Sequence, residues 1–147
     1  MTQPNQQSQA AFQVKCDLFR QKFERGDIGD MVEFFYAEDA VLEGPGLLPQ
    51  VGREAIRAIY EDVRHHCHSI RIQLDPVVAT SELAYGCQTN INLRIDGETE
   101  IHRGLMIWRL IKGEWFVIQD FFFTDVDPDH AAGGLDGEFV MHVPMGG

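Results

Sequence analysis

The spacing of apolar residues changes once along this chain, near Ile70, and that change limits the folds open to it. Before Ile70 they recur at helical spacing; after it they alternate with polar residues, as in strands with one covered face. Phe12, Cys16, Phe19 and Phe23 share one face of a helix expected over about residues 10–25, with Lys15, Gln21, Lys22 and Glu24 elsewhere. Gly26 stops that helix, and Asp27 or Asp30 can cap a second, short one carrying Ile28, Met31, Val32 and Phe35 and ending near Ala37. A third helix is expected from about Arg53 to His66, on the spacing of Ile56, Ile59, Tyr60 and Val63. Between the second and third, Ala40 to Leu42 reads as a short strand. Gly44 to Pro49 reads as a loop, because two glycines and two prolines interrupt regular structure there.

The alternating half begins with Ile70, Ile72 and Leu74 and continues over Leu83 to Leu93. Asp96-Gly97 has the composition of a two-residue hairpin turn. A strand from about Glu100 to Leu110 follows, then a Lys112-Gly113 turn and a last strand from Trp115 to Thr124. Helices followed by a meander of strands define an α+β class. The expected architecture is a cone-shaped, strongly curved antiparallel sheet, covered by three N-terminal helices around a pocket that so few helices cannot fill. One domain is expected over residues 11–127. Residues 1–10 are polar and read as a disordered start, and residues 128–147 as a Gly-rich tail whose Phe139–Val143 run offers an added edge strand.

Charge and cysteine usage narrow the partners. Acidic residues outnumber basic ones 23 to 12, for a net charge of −11. Such a surface repels phosphate backbones and anionic lipid, so neither nucleic acid nor a membrane is an expected partner. No apolar run approaches the ~20 residues that span a bilayer. Three widely spaced cysteines, Cys16, Cys67 and Cys87, suit reduced thiols in the cytoplasm. His65, His66, Cys67 and His68 are too close in sequence to converge on one ion, so no metal site is expected. No phosphate-cradling Gly-rich loop marks a nucleotide cofactor, and none is expected.

Phe35-Tyr36-Ala37-Glu38-Asp39-Ala40-Val41, then Val51 to Ile56, then Trp108-Arg109, Gly113-Glu114-Trp115 and Asp120-Phe121-Phe122 resemble the nuclear transport factor 2-like superfamily. The SnoaL-like and limonene-epoxide-hydrolase-like branches are the nearest in pattern, over roughly Phe12 to Asp125. The resemblance implies a homodimer of helix-closed cones, each holding a small ligand. It does not fix an activity, since isomerases, dehydratases, cyclases, epoxide hydrolases and non-catalytic proteins share the fold. By that resemblance the catalytic aspartate of ketosteroid isomerase would fall on Gly44, its oxyanion tyrosine near Phe19 and its protonated aspartate near Leu105. The needed groups are absent. The water-binding tyrosine and asparagine of limonene epoxide hydrolase would fall on Leu42 and Gly44. Its Arg-x-Asp pair would fall on Gln88 and Asn90 by direct alignment, or on Thr89 and Ile91 if a two-residue turn sets the hairpin. Only its last-strand aspartate is matched, by Asp120.

Four titratable residues remain as candidates for catalysis. Asp27 and His65 resemble the aspartate–histidine pair of the dehydratase branch, in which a carboxylate raises the basicity of an imidazole. Asp120 faces the pocket only if a β-bulge interrupts the last strand; regular pairing turns it outward, beside Arg103. His102 shares the face of Met106 and Trp108. Tyr36, Tyr60, Met106, Trp108, Phe121 and Phe123 are the expected pocket wall, which implies a small, largely apolar ligand. Two functions stay open: cofactor-independent acid–base chemistry of the dehydratase, cyclase or isomerase type, or binding and assembly without turnover.

Overall fold

A computed structural model describes residues 6–125; the Gly-rich tail assigned to residues 128–147 lies outside them. Three helices precede most of the sheet: α1 (Gln6–Arg25), α2 (Ile28–Phe35) and α3 (Arg53–Arg64). The strands are β1 (Tyr36–Gly44), β2 (Leu47–Val51), β3 (Cys67–Leu74), β4 (Val78–Ala79), β5 (Leu83–Arg94), β6 (Thr99–Ile111) and β7 (Glu114–Asp125). They form one seven-stranded sheet in the order β2-β1-β7-β6-β5-β3, with β4 paired to β5. The α+β architecture is the expected one. The sheet is mixed, however, because β1 runs parallel to β7 while every other pair is antiparallel. A strand joined to its neighbour through the whole chain is free of the hairpin constraint that makes sequential pairs antiparallel.

The predicted apolar stripe of α1 is buried without exception, and Phe12 and Phe35 pack on Trp108 at ring centroid distances of 5.1 and 5.4 Å. Helix α1 begins at Gln6, ahead of the stripe and inside the segment read as disordered. Its polar positions also make contacts that an apolar count overlooks. The Gln13 amide donates to the Ile72 carbonyl at 2.8 Å and accepts from the Leu74 N–H at 3.1 Å. Gln9 makes the same pair of bonds with Val77, at 2.6 and 2.9 Å. Two glutamines thus serve as backbone surrogates along the outer edge of the sheet, satisfying groups that would otherwise be stranded.

Three local readings are corrected. Leu47 to Pro49 belong to β2, and the loop shrinks to Pro45-Gly46. Proline fits because β2 is an edge strand, where its missing N–H costs no ladder bond. Asp27 precedes α2 but makes no capping hydrogen bond; its carboxylate accepts from Arg25 instead, at 3.2 Å. The β5–β6 connection is a three-residue loop, Ile95 to Gly97, closed by the Arg94 N–H to Glu98 carbonyl bond, with Gly97 at φ +93°. That extra residue pairs Asn90 with His102 and Gln88 with Gly104, so the even-numbered residues of β5 share the inner face with His102. The Lys112-Gly113 turn is the two-residue type expected, both residues having positive φ.

Candidate functional site

Beyond the Trp108 core, β7 carries one residue more than β6. Trp108 pairs with Val117 but Ile107 pairs with Gln119, so Ile118 is extra. The bulge reverses parity: Trp115 and Val117 face the helices before it, Asp120 and Phe122 after it. Asp120 therefore turns inward, opposite Met106 and beside Leu42 of β1. Its side chain is almost fully buried, at 2 % exposure.

Two donors meet this carboxylate. The Tyr36 hydroxyl donates to Oδ2 at 2.6 Å, and the Gln88 side-chain amide donates to Oδ1 at 3.0 Å. Tyr36 in turn lies 2.8 Å, oxygen to oxygen, from the hydroxyl of Tyr60 on α3. Each ring is held by an edge-on phenylalanine: Phe35 against Tyr36 at 5.2 Å and Phe19 against Tyr60 at 5.5 Å. Arg53 fixes the start of β1, donating to the Tyr36 carbonyl at 2.8 Å. Gln88 reaches Asp120 because Gly104 opposes it. A Cβ on Gly104 would stand 2.7 Å from the Gln88 amide nitrogen and 2.8 Å from the Phe121 carbonyl oxygen.

Burial pushes the Asp120 pKa above the ordinary carboxylate range, and the hydrogen bonds from Tyr36 and Gln88 pull it back. Burial and then the Asp120 charge push both tyrosines above the usual phenol range. The same two influences, with Asp17, raise the thiol of Cys16 on α1. Among the described residues no lysine or arginine contacts the Asp120 carboxylate.

A cavity of about 260 Å³ opens beside this group. Leu42, Leu47, Ile59, Val63 and Phe122 form its apolar wall; Tyr60, Asn90, Glu100, His102 and Asp120 form its polar one. Successive inward positions of β5, β6 and β7 place Asp120 and Gln88 at the inner end, with Asn90–His102 and then Asn92–Glu100 toward the Ile95–Gly97 loop. A buried carboxylate beside apolar surface can accept a proton from a bound molecule and return it, without a metal or cofactor.

Of the four catalytic candidates, Asp120 and His102 line this cavity. Asp27 and His65 do not: both are exposed, Asp27 on Arg25 and His65 at the C-terminal end of α3, so the dyad is not assembled there. Among the expected wall residues, Tyr60 lines the cavity and Tyr36 lies directly behind it. Met106 and Trp108 are core side chains under the helices. Phe121 and Phe123 are corrected to the outer face of the sheet, where their rings meet at 5.5 Å and each is 37 % exposed. Gly44 also has a structural reason. Its missing Cβ would lie 2.6 Å from the Phe122 ring, so an aspartate there would require that ring to move. Gln88 and Gly104 were not foreseen as a contacting pair. Reading Ile95–Gly97 as a three-residue loop would have found them.

This combination, a curved sheet, three covering helices and a carboxylate at the inner end of a cavity, defines a nuclear transport factor 2-like α+β cone. The chain belongs to the SnoaL-like domain family, whose model matches residues 17–118. Among solved structures it is similar to a ketosteroid isomerase-like protein from Erwinia carotovora atroseptica, with 19% identity and a TM-score of 0.68 over 84% of this chain and 100% of that one. A nuclear transport factor 2-like protein of unknown function from Pseudomonas putida gives 21% identity and a TM-score of 0.67, over 84% and 90%. A protein with a cystatin-like fold from Novosphingobium aromaticivorans gives 16% identity and a TM-score of 0.64, over 86% of each chain. At these identities the likeness is one of fold. No protein of curated function matches.

Proposed function

We propose that this protein binds a small, largely apolar molecule in the cavity and acts on it by cofactor-independent acid–base chemistry, of the dehydratase, cyclase or isomerase type. One observation carries the reading: a fully buried carboxylate, held by Tyr36 and Gln88, stands at the inner end of an otherwise largely apolar cavity. Burying an ionisable group costs stability, and such groups concentrate where chemistry needs a shifted proton affinity. Asp120 is the acid–base group in this reading, and His102 is a second titratable side chain nearer the Ile95–Gly97 loop. Binding without turnover is favoured by a different observation. The positions that resemble the water-activating residues of limonene epoxide hydrolase hold Leu42, Gly44, Gln88 and Asn90, none of which ionises.

The surrounding proposals follow the same line. The three free cysteines suit a cytoplasmic protein, and among the described residues no helix is long and apolar enough to cross a membrane. A homodimer through the outer sheet face is supported by Tyr85, Phe121 and Phe123, which are exposed there. NMR with a set of small hydrophobic fragments tests the cavity. Shifts should cluster at Ile59, Tyr60, Val63 and Phe122 and vanish in Leu42→Trp, which fills the space. Shifts confined to the outer face would overturn the proposal.

A further inference from the structure

We propose that the molecule in this cavity presents a hydrogen-bond donor to its inner end, a hydroxyl or a protonated amine on an apolar body, and that Tyr60 is the group that accepts it. The inference rests on the small-molecule reading above and adds the polarity of the ligand to it. It follows from counting hydrogens along the Asp120–Tyr36–Tyr60 chain.

An ionised carboxylate has no hydrogen to give, so in the 2.6 Å contact Tyr36 is the donor. A phenol has one hydrogen, and that of Tyr36 is thereby spent. In the 2.8 Å contact between the tyrosines, Tyr60 must then donate to Tyr36. Tyr60 is left with a lone pair and no hydrogen for anything else. Gln88 follows the same logic. Its amide nitrogen faces Asp120, which turns its oxygen away, and that buried oxygen has no donor among the described residues. The buried amide oxygen of Asn90, next along β5, has none either. Unpaired buried acceptors are few in native proteins and call for a physical reason.

The inner end is thus built of acceptors, and a ligand carbonyl placed there would set lone pair against lone pair. A hydroxyl or ammonium group would complete the chain. Charge points the same way, since the cavity wall includes Asp120 and Glu100 but, among the described residues, no lysine or arginine. Of the side-chain amides that can donate, that of Gln88 is engaged by Asp120, and that of Asn90 lies farther along toward the Ile95–Gly97 loop. Polarity therefore runs along the cavity, with donor-seeking groups at its inner end.

The chain can also reverse. A protonated Asp120 would donate to Tyr36, Tyr36 to Tyr60, and Tyr60 into the cavity. The groups that face Asp120 and could influence that change are Tyr36 from β1, Tyr60 from α3 and Cys16 from α1, with His102 and Glu100 of β6 on the same cavity wall. The test therefore belongs on the alkaline side, at about pH 8, well above ordinary carboxylate titration.

Cyclohexanol, cyclohexylamine, cyclohexanone and methylcyclohexane share a ring and differ in the group they offer. Titrating each into the full chain, followed by NMR, should show the alcohol and the amine binding about tenfold more tightly than the ketone and the hydrocarbon. Tyr60→Phe, which keeps the ring and removes the acceptor, should erase the preference of the alcohol and the amine over the ketone and the hydrocarbon. Gln88→Leu gives a second check: the Tyr60 acceptor survives it, so the alcohol should still outbind the ketone. A ketone that binds as well as the alcohol would overturn the donor inference and leave the cavity reading intact. Failure of all four to bind at the cavity would overturn both.

Discussion

The two ends of the inner sheet face are built from the same strands and differ in almost everything else. On one side of the Ile118 bulge, Trp108, Trp115 and Val117 meet Phe12 and Phe35, and the space is filled by aromatic side chains. On the other, Asp120 and Phe122 share the face with Gln88, Asn90 and His102, and a cavity remains. The covering helices account for the contrast. Helix α1 drives Phe12 down on the first end, between Trp108 and Trp115. Helix α3 brings Ile59, Tyr60 and Val63 to the second, and these stay half-buried. One extra residue in β7 therefore separates a filled aromatic core from a cavity with a polar group at its inner end.

Truncation should expose that difference most strongly. Phe12→Ala removes a ring packed between Trp108 and Trp115 and is expected to cost about 3–5 kcal/mol. Ile59→Ala borders space that is already open and should cost under about 2 kcal/mol. Urea unfolding of the two variants measures both. Equal losses would mean that the second end is as tightly packed as the first, and the contrast would fail.

A smaller effect separates two glycines on the inner face. Gly104→Ala drives a Cβ to 2.7 Å from the Gln88 amide and 2.8 Å from a backbone oxygen. The amide must leave Asp120, for an expected cost of about 1–3 kcal/mol. Gly86→Ala meets nothing nearer than a Val77 methyl at 3.2 Å, a milder contact than either of those at Gly104, and should cost less. A ranking in the opposite order, by thermal unfolding, would show that Gln88 is not held by the opposing glycine.

These elements were not equally legible in the sequence. The α1 stripe, the α3 stripe and the long strands follow from periodicity, because burial against a neighbour imposes a period that the residues must obey. The bulge in the last strand is only one of two alternatives that the sequence allows. A single added residue leaves no mark in a run such as Phe121-Phe122-Phe123, apolar whichever face is turned inward. The β5 register stays open between two alternatives for a related reason. Asp96-Gly97 favours a two-residue turn, and the structure adds Ile95 to the loop while keeping Gly97 at positive φ. Shifting a strand by one residue exchanges its faces, so this turn decided whether Gln88 or Thr89 reached Asp120. The parallel pairing of β1 with β7 joins residues about eighty positions apart, beyond the reach of any local pattern.

The smallest predicted effect is the one that tests the second end most directly, through its dependence on pH. Burial raises the folded-state pKa of Asp120, so the folded protein holds this proton more tightly than the unfolded chain does. Its contribution is then most favourable below the unfolded-state value, about 3.9, and is lost as pH rises through the folded-state value. Asp120→Asn removes the titration while keeping the shape, and Gln88 can rotate to offer its oxygen to the new amide. The stability of the natural protein relative to this variant should decline from about pH 4 upward and level off once the buried carboxylate has ionised. Urea midpoints taken across that range measure the decline. A rise over the same range would mean that the Tyr36 and Gln88 donors outweigh burial, making the inner end a good carboxylate site rather than a strained one. The contrast between the two ends would then be one of chemistry alone, with no cost in stability attached to it.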